Sequence, residues 1–352
     1  MLKIARSVLL LLAVGLGLQP FAAHAADAKK KIVFIAGGPS HGFFAHDHLA
    51  GCKLLAKRIN EVPGFEATVA YKAWPKPEEL ENAAAIVIYC DGGGGHMAIP
   101  HKDELKALSA KGVGIGCIHY AVEVPKEKAG QEWLDTMGGY FETFLSINPH
   151  WQAEFNELPK HAVANGVKPF TTTDEWYYHM RFREEMKGVR PILSAVPPDK
   201  TRQGKDDAHG GNPTVRAGIG KSLLEHVVWV SENFSTPDAK EPTSRGFGCT
   251  GGHFHKNWAN DQFRKTILNA IVWIAKGEVP NDGIQSNRPD ADELLGDRDL
   301  DAKNEQPPAN FDKAKLTAEI EEMNKPFEPK IVKPHARAAQ PGEELLKPVA
   351  VR

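Results

Sequence analysis

Three short apolar runs in the first third of this chain each end in glycine and histidine. Residues 31–36 lead into Gly37-Gly38-Pro39-Ser40-His41, residues 84–89 into Cys90, Asp91 and Gly92 to His96, and residues 113–118 into His119-Tyr120. Continuous apolar runs of this length, closed by turn residues, read as strands buried on both faces. Between them the period changes. Leu49, Cys52, Leu55, Ala56 and Ile59 recur at three- and four-residue spacing, which predicts a helix from about His46 that Pro63-Gly64 stops. Residues 65–71 alternate like a strand, and Pro100 opens a helix carrying Leu105 and Leu108. Further strands are expected at 151–155, 190–196, 226–230 and 245–250. A closing helix over 261–275 carries Phe263, Ile267, Ile271 and Ile274 on one face. Strands alternating with helices over short connections predict a three-layer α/β fold, a mostly parallel sheet with helices on both faces.

Such sheets bind ligands beyond the carboxyl ends of their strands, so the glycine and histidine clusters mark the expected cleft. Residues 200–214, polar and glycine-rich, are expected as a surface loop near its mouth, and His96 and His101 as surface residues near a helix start. A formal net charge of −2 across 352 residues, without a basic run, argues against a nucleic-acid partner. Lys3 and Arg6, an apolar stretch over 8–18 and Ala23-His24-Ala25 together read as a signal peptide over residues 1–25. The apolar stretch is shorter than the ~20 residues a membrane span needs, so a periplasmic or secreted protein with no membrane span after cleavage is expected. Cys52, Cys90, Cys117 and Cys249 lie in apolar segments and suit buried free thiols, one disulfide being the alternative. Beyond Gly277, residues 278–352 mix prolines with charges. They are expected to wrap the domain surface or to be partly disordered, with one short helix near 314–323.

The stretch Ile35 through Gly37-Gly38-Pro39-Ser40-His41, then Gly116 to Ala121, Asp174-Glu175-Trp176-Tyr177, and Arg245 through Gly251-Gly252-His253 to Trp258 carry a resemblance. In this order, over residues 31–277, the chain resembles the ThuA-like (trehalose-utilisation) family. That family is similar in fold to class I glutamine amidotransferases, a flavodoxin-like three-layer architecture. The resemblance places the amidotransferase nucleophile at His119, with Cys117 two residues earlier inside the strand, and the His-x-Glu pair at His253-Phe254-His255. Glutamine hydrolysis needs a thiolate nucleophile, so the resemblance implies a scaffold without that activity. It also implies an oxyanion-hole-like placement for Gly93 and Gly94, and a place in the cleft for Asp174 and Glu175.

Histidines converging at strand ends suit a divalent transition metal, with His41, His119, His253 and His255 as ligands. They also suit metal-free acid–base catalysis, or ordinary hydrogen bonding in a cleft. Carboxylates beside aromatic rings suit sugar recognition, which gives Asp174, Tyr177 and Trp258, with His41, Gly93 and Gly94, as substrate contacts. A strand carrying core aromatics is the plainer alternative. The resemblance implies an exported enzyme of carbohydrate catabolism, a hydrolase, lyase or isomerase of a glycoside or keto-sugar, with His119, His253 and Glu175 as the expected catalytic groups. The rival is a non-catalytic carbohydrate-binding or interaction protein on a degenerate amidotransferase scaffold.

Overall fold

The computed structural model describes residues 28–234, 236, 239–299, 306–330 and 336–337. The expected leader lies outside them. The apolar runs form the middle of a seven-stranded sheet. In chain order the strands are β1 (Lys30–Ala36), β2 (Phe65–Tyr71), β3 (Ala83–Tyr89), β4 (Gly114–Ile118), β5 (Gly139–Tyr140), β6 (His150–Phe155), β7 (Phe170–Glu175), β8 (Arg181–Phe182), β9 (Val189–Ala195), β10 (Glu225–Asn233) and β11 (Ser244–Cys249). The large sheet has the order β2-β1-β3-β4-β11-β10-β9. Its pairs are parallel from β2 through β11, and β10 runs against both neighbours. Strands β6 and β7 form a separate antiparallel ribbon, and β5 pairs with β8.

The helices are α1 (His48–Asn60), α2 (Pro77–Leu80), α3 (Lys102–Ala110), α4 (Gln131–Met137), α5 (Pro213–Arg216), α6 (Asp261–Ile274), α7 (Ala291–Leu295) and α8 (Lys313–Glu322). Strand periodicity sends alternate side chains to opposite faces. Ile32 and Phe34 join one core with Leu55 and Ile59 of α1 and Phe263, Ile267 and Ile271 of α6. Val33 and Ile35 join a second with Leu105 of α3 and Trp133 and Met137 of α4. The three-layer reading therefore holds. No helix among the described residues is long and apolar enough to cross a membrane.

Several local expectations need correction. His96 is buried, not on the surface. Its Nε2 lies 3.0 Å from the Ala121 carbonyl, and its Nδ1 accepts from the Ala98 amide. The chain also forms β7, which turns residues 170–175 into the partner of β6 and brings Asp174 and Glu175 alongside the sheet's carboxyl end. All four cysteines are free and buried. After α6 the chain returns along α1. Asn287 and Glu293 bind Arg58, Glu293 also binds Lys57, and Asp297 pairs with Lys53.

Candidate metal centre

Four segments meet at the carboxyl ends of β1, β3, β4 and β11. His119 follows β4 directly, with φ of 55°. That left-handed conformation is uncommon for a residue with a Cβ, and such strain clusters at functional sites. His46, in the loop between β1 and α1, has the same φ of 55°. Its amide donates to the His253 carbonyl, and Ala45 bridges to Phe254, so the loops bearing the two histidines are zipped together. Gly252 precedes His253 at a φ of 107°, which a side chain rarely tolerates.

The ring nitrogens converge. His46 Nε2 lies 3.0 Å from His119 Nε2 and 3.1 Å from His253 Nδ1, and the last two are 3.2 Å apart. Glu175 brings Oε2 to 3.1 Å from His253 Nδ1 and 3.4 Å from His119 Nε2. A tetrahedral ion with metal–nitrogen bonds of about 2.0–2.1 Å has ligand–ligand edges of about 3.3 Å. These five edges match that spacing, and all four ligand atoms lie within 4.8 Å of one another.

The outer partners decide the tautomers. His119 Nδ1 lies 2.8 Å from the Thr250 carbonyl, which can only accept. His46 Nδ1 lies 2.9 Å from Asp91 Oδ1. Both Nδ1 atoms therefore carry a proton, the arrangement seen around metal-bound imidazoles, and both Nε2 atoms point inward. Burial holds His46 neutral, pushing its pKa down to about 2. Asp91 is held down to about 2: burial would raise it, but hydrogen bonds from His46 and Ser40 prevail. Burial would also raise Glu175, yet hydrogen bonds with His119 and His253 keep its carboxyl below the usual range. The centre thus presents a neutral His46 imidazole and an ionised Glu175 carboxylate.

Around this group the cleft is polar. The Tyr177 hydroxyl lies 3.2 Å from His119 Nε2, and Asn148 Nδ2 donates to Glu175 Oε1 at 3.1 Å. The His41 ring lies 3.6 Å from that of His46, with Ser40 Oγ 2.8 Å from its Nδ1. His209, between the turns at Asp199–Arg202 and Pro213–Arg216, brings Nε2 to 2.9 and 3.1 Å from the carboxylate oxygens of buried Glu123. That hydrogen bond raises the His209 pKa despite partial burial. Gly93 and Gly94 sit on this side, where the Gly93 amide donates to the Glu123 carbonyl.

Of the residues expected from sequence, His119, His253 and Glu175 are brought together, with His41 and Tyr177 beside them. Three others are not. His255 is fully buried, packed against Phe44 at 5.7 Å between ring centres, and is not among the converging ligands. Trp258 is fully buried and stacks on Phe263. Asp174 is fully buried beneath the site. Its carboxylate accepts from the amides of Gly252 (2.7 Å), His253 (3.0 Å) and Phe254 (3.3 Å), and from Asn257 Nδ2 (2.9 Å). It holds the His253 loop rather than a substrate. Removing it orphans several buried donors, so Asp174→Ala is expected to cost about 3 kcal/mol or more. Urea unfolding would read this, and an unchanged midpoint would remove the loop-anchoring role.

His46 and Asp91 were not anticipated. Their signal was present: Asp91 closes an apolar strand before glycines, and His46 follows the glycine- and histidine-rich loop after the first strand. Cys117 is buried inside β4, and burial holds its thiol well above the ordinary range. The elbow after β4 carries an imidazole instead.

Residues 33–274 match the ThuA family model, described as trehalose utilisation. The chain belongs to the ThuA family. All four converging side chains lie within the matched ThuA segment. Among solved structures, a ThuA-like protein from Bacteroides uniformis is similar at 16% identity and a TM-score of 0.49, covering 73% of this chain and 98% of its own. One from Parabacteroides merdae has 14% identity and a TM-score of 0.46, with 74% and 93% covered. A GMP synthase protein from Thermoplasma acidophilum has 9% identity and a TM-score of 0.38, with 70% and 94% covered. No curated protein matches the chain.

Proposed function

We propose that this ThuA-family chain is a metal-dependent enzyme of carbohydrate metabolism, acting on a glycoside or keto-sugar outside the cytoplasm. His46, His119, His253 and Glu175 are assigned as ligands of one divalent transition metal. One observation carries the metal: four ligand atoms from separate segments converge, with His46 Nε2 and His119 Nε2 only 3.0 Å apart while their Nδ1 atoms face Asp91 and the Thr250 carbonyl. A divalent cation between the two nitrogens would take a lone pair from each. The carbohydrate half rests on the family's description and on a cleft wall of hydroxyl, amide and carboxylate groups.

A divalent ion at this position would polarise a substrate oxygen or acidify a water. The remaining steps fall to the chain's own groups. Tyr177 supplies a hydrogen bond beside the ligand cluster. Glu123 holds the Nε2–H of His209, which leaves Nδ1 to take or give a proton at the cleft mouth. Asn148 fixes the second oxygen of Glu175. The expected leader supports an exported location.

The deciding experiment is elemental analysis of protein purified without chelator, joined to turnover of glycosides and keto-sugars before and after chelation. About one equivalent of metal, with turnover lost on chelation and restored by metal, is expected. Metal with saturable sugar binding and no product would leave the non-catalytic rival. Absence of metal after incubation with zinc, manganese, nickel and iron would overturn the assignment.

A further inference from the structure

We infer that Arg298, which lies beyond the family-matched segment, is a positioning residue for the proposed metal centre, locking the His41–His48 loop through a buried ion pair with Asp47. This inference goes beyond the ligand assignment and rests on it only for its metal readout.

The guanidinium Nε of Arg298 donates to Asp47 Oδ2 at 2.9 Å, and both side chains are almost wholly buried. Its plane also lies over two aromatic rings of the same loop, 4.4 Å from the Phe43 centre and 5.1 Å from that of Phe44. Asp47 immediately follows His46 and precedes α1. One side chain therefore grips the loop on both sides of the ligand. Asp299 adds a second grip, bonding the Tyr71 hydroxyl and the Lys72 ammonium at the end of β2. Phe311 packs against Phe43 at 5.1 Å between ring centres.

The physical need is evident in the loop. Phe44 and His46 hold left-handed φ angles of 63° and 55°. Strained residues persist only where their surroundings over-determine them. The inner side of this loop is fixed by the 252–256 segment, since the Phe44 carbonyl accepts from the His255 amide and the His253 carbonyl from that of His46. The outer side is covered by Arg298 and Phe311. Arginine suits this position because it pairs and stacks at once.

The test compares three variants with wild type, using the full chain. Arg298→Gln removes the clamp. Arg298→Lys keeps the charge for Asp47 but loses the planar stacking, and serves if the first variant does not fold. Glu293→Gln cuts a tail anchor at the far end of α1, where Glu293 binds Lys57 and Arg58, and controls for general loosening. Two readouts are taken: hydrogen exchange of residues 41–48 in metal-free protein, and affinity for zinc alone. Faster exchange over 41–48 in the Arg298 variants, with roughly tenfold or greater loss of zinc affinity, and neither change in Glu293→Gln, is expected. Wild-type exchange in the Arg298 variants, or equal changes in Glu293→Gln, would overturn the inference. If wild type binds no zinc, zinc is excluded as the metal while the exchange result still decides the clamp.

Discussion

Replacing His119 with asparagine is expected to empty the metal centre and to reduce turnover by about a thousandfold or more, a loss of about 4 kcal/mol in transition-state stabilisation. Asparagine is chosen because it tolerates the left-handed backbone better than alanine, so the substitution tests the imidazole rather than the turn. The variant would lack one ligand of the set and leave His46 Nε2, His253 Nδ1 and Glu175 Oε2. Elemental analysis should fall from about one equivalent to near none. Bound metal also stabilises, by about 4 kcal/mol when its concentration is a thousand times Kd. Chelation should therefore lower the Tm of wild type and leave that of His119→Asn unmoved. Retained metal with unchanged turnover would sink the site as drawn.

The second large effect is loss of stability in acid. Burial pushes the pKa of His48, His96 and His255 down to about 4 and that of His226 to about 3. In the unfolded chain each would titrate near 6.5. Between about pH 4 and 6.5 the unfolded chain binds protons that the folded chain refuses, so stability falls as pH falls through that window and is intact above it. Each group contributes up to about 1.4 kcal/mol per pH unit. Together the four approach roughly 5 kcal/mol per unit near pH 5, enough to threaten an ordinary domain. Urea unfolding of metal-free protein at pH 7.5, 6.5 and 5.5 should show a steepening drop. A flat midpoint across that range would mean these rings are not held neutral.

How much of the centre was legible depended on which way neighbouring side chains point. Asp174 and Glu175 are adjacent on β7, and a strand sends neighbours to opposite sides. Glu175 reaches the histidines while Asp174 turns under the His253 loop. Sequence treated them as a pair facing one cleft. His253 and His255, two apart, would share a face of a strand, but the strand ends at Cys249 and the backbone turns between them. The first enters the cluster; the second, at the start of a 3-10 turn, packs into the core against Phe44. His46 was missed for the opposite reason. It was read as the start of a helix, whereas the helix begins at His48 and His46 sits in a left-handed turn whose conformation depends on contacts from residues more than two hundred positions away.

The apolar runs, their lengths and their glycine–histidine endings determined by themselves that this chain forms a three-layer α/β sheet with histidines at the strands' carboxyl ends. Those features are local, because burial on both faces leaves a continuous apolar signature and strand ends need turn residues. Tertiary structure alone decided which histidines meet, that β10 runs against its neighbours, and that the chain beyond α6 returns to clamp the loop of His46. Each of these depends on pairings between distant segments. No periodicity within a segment encodes what will press against it.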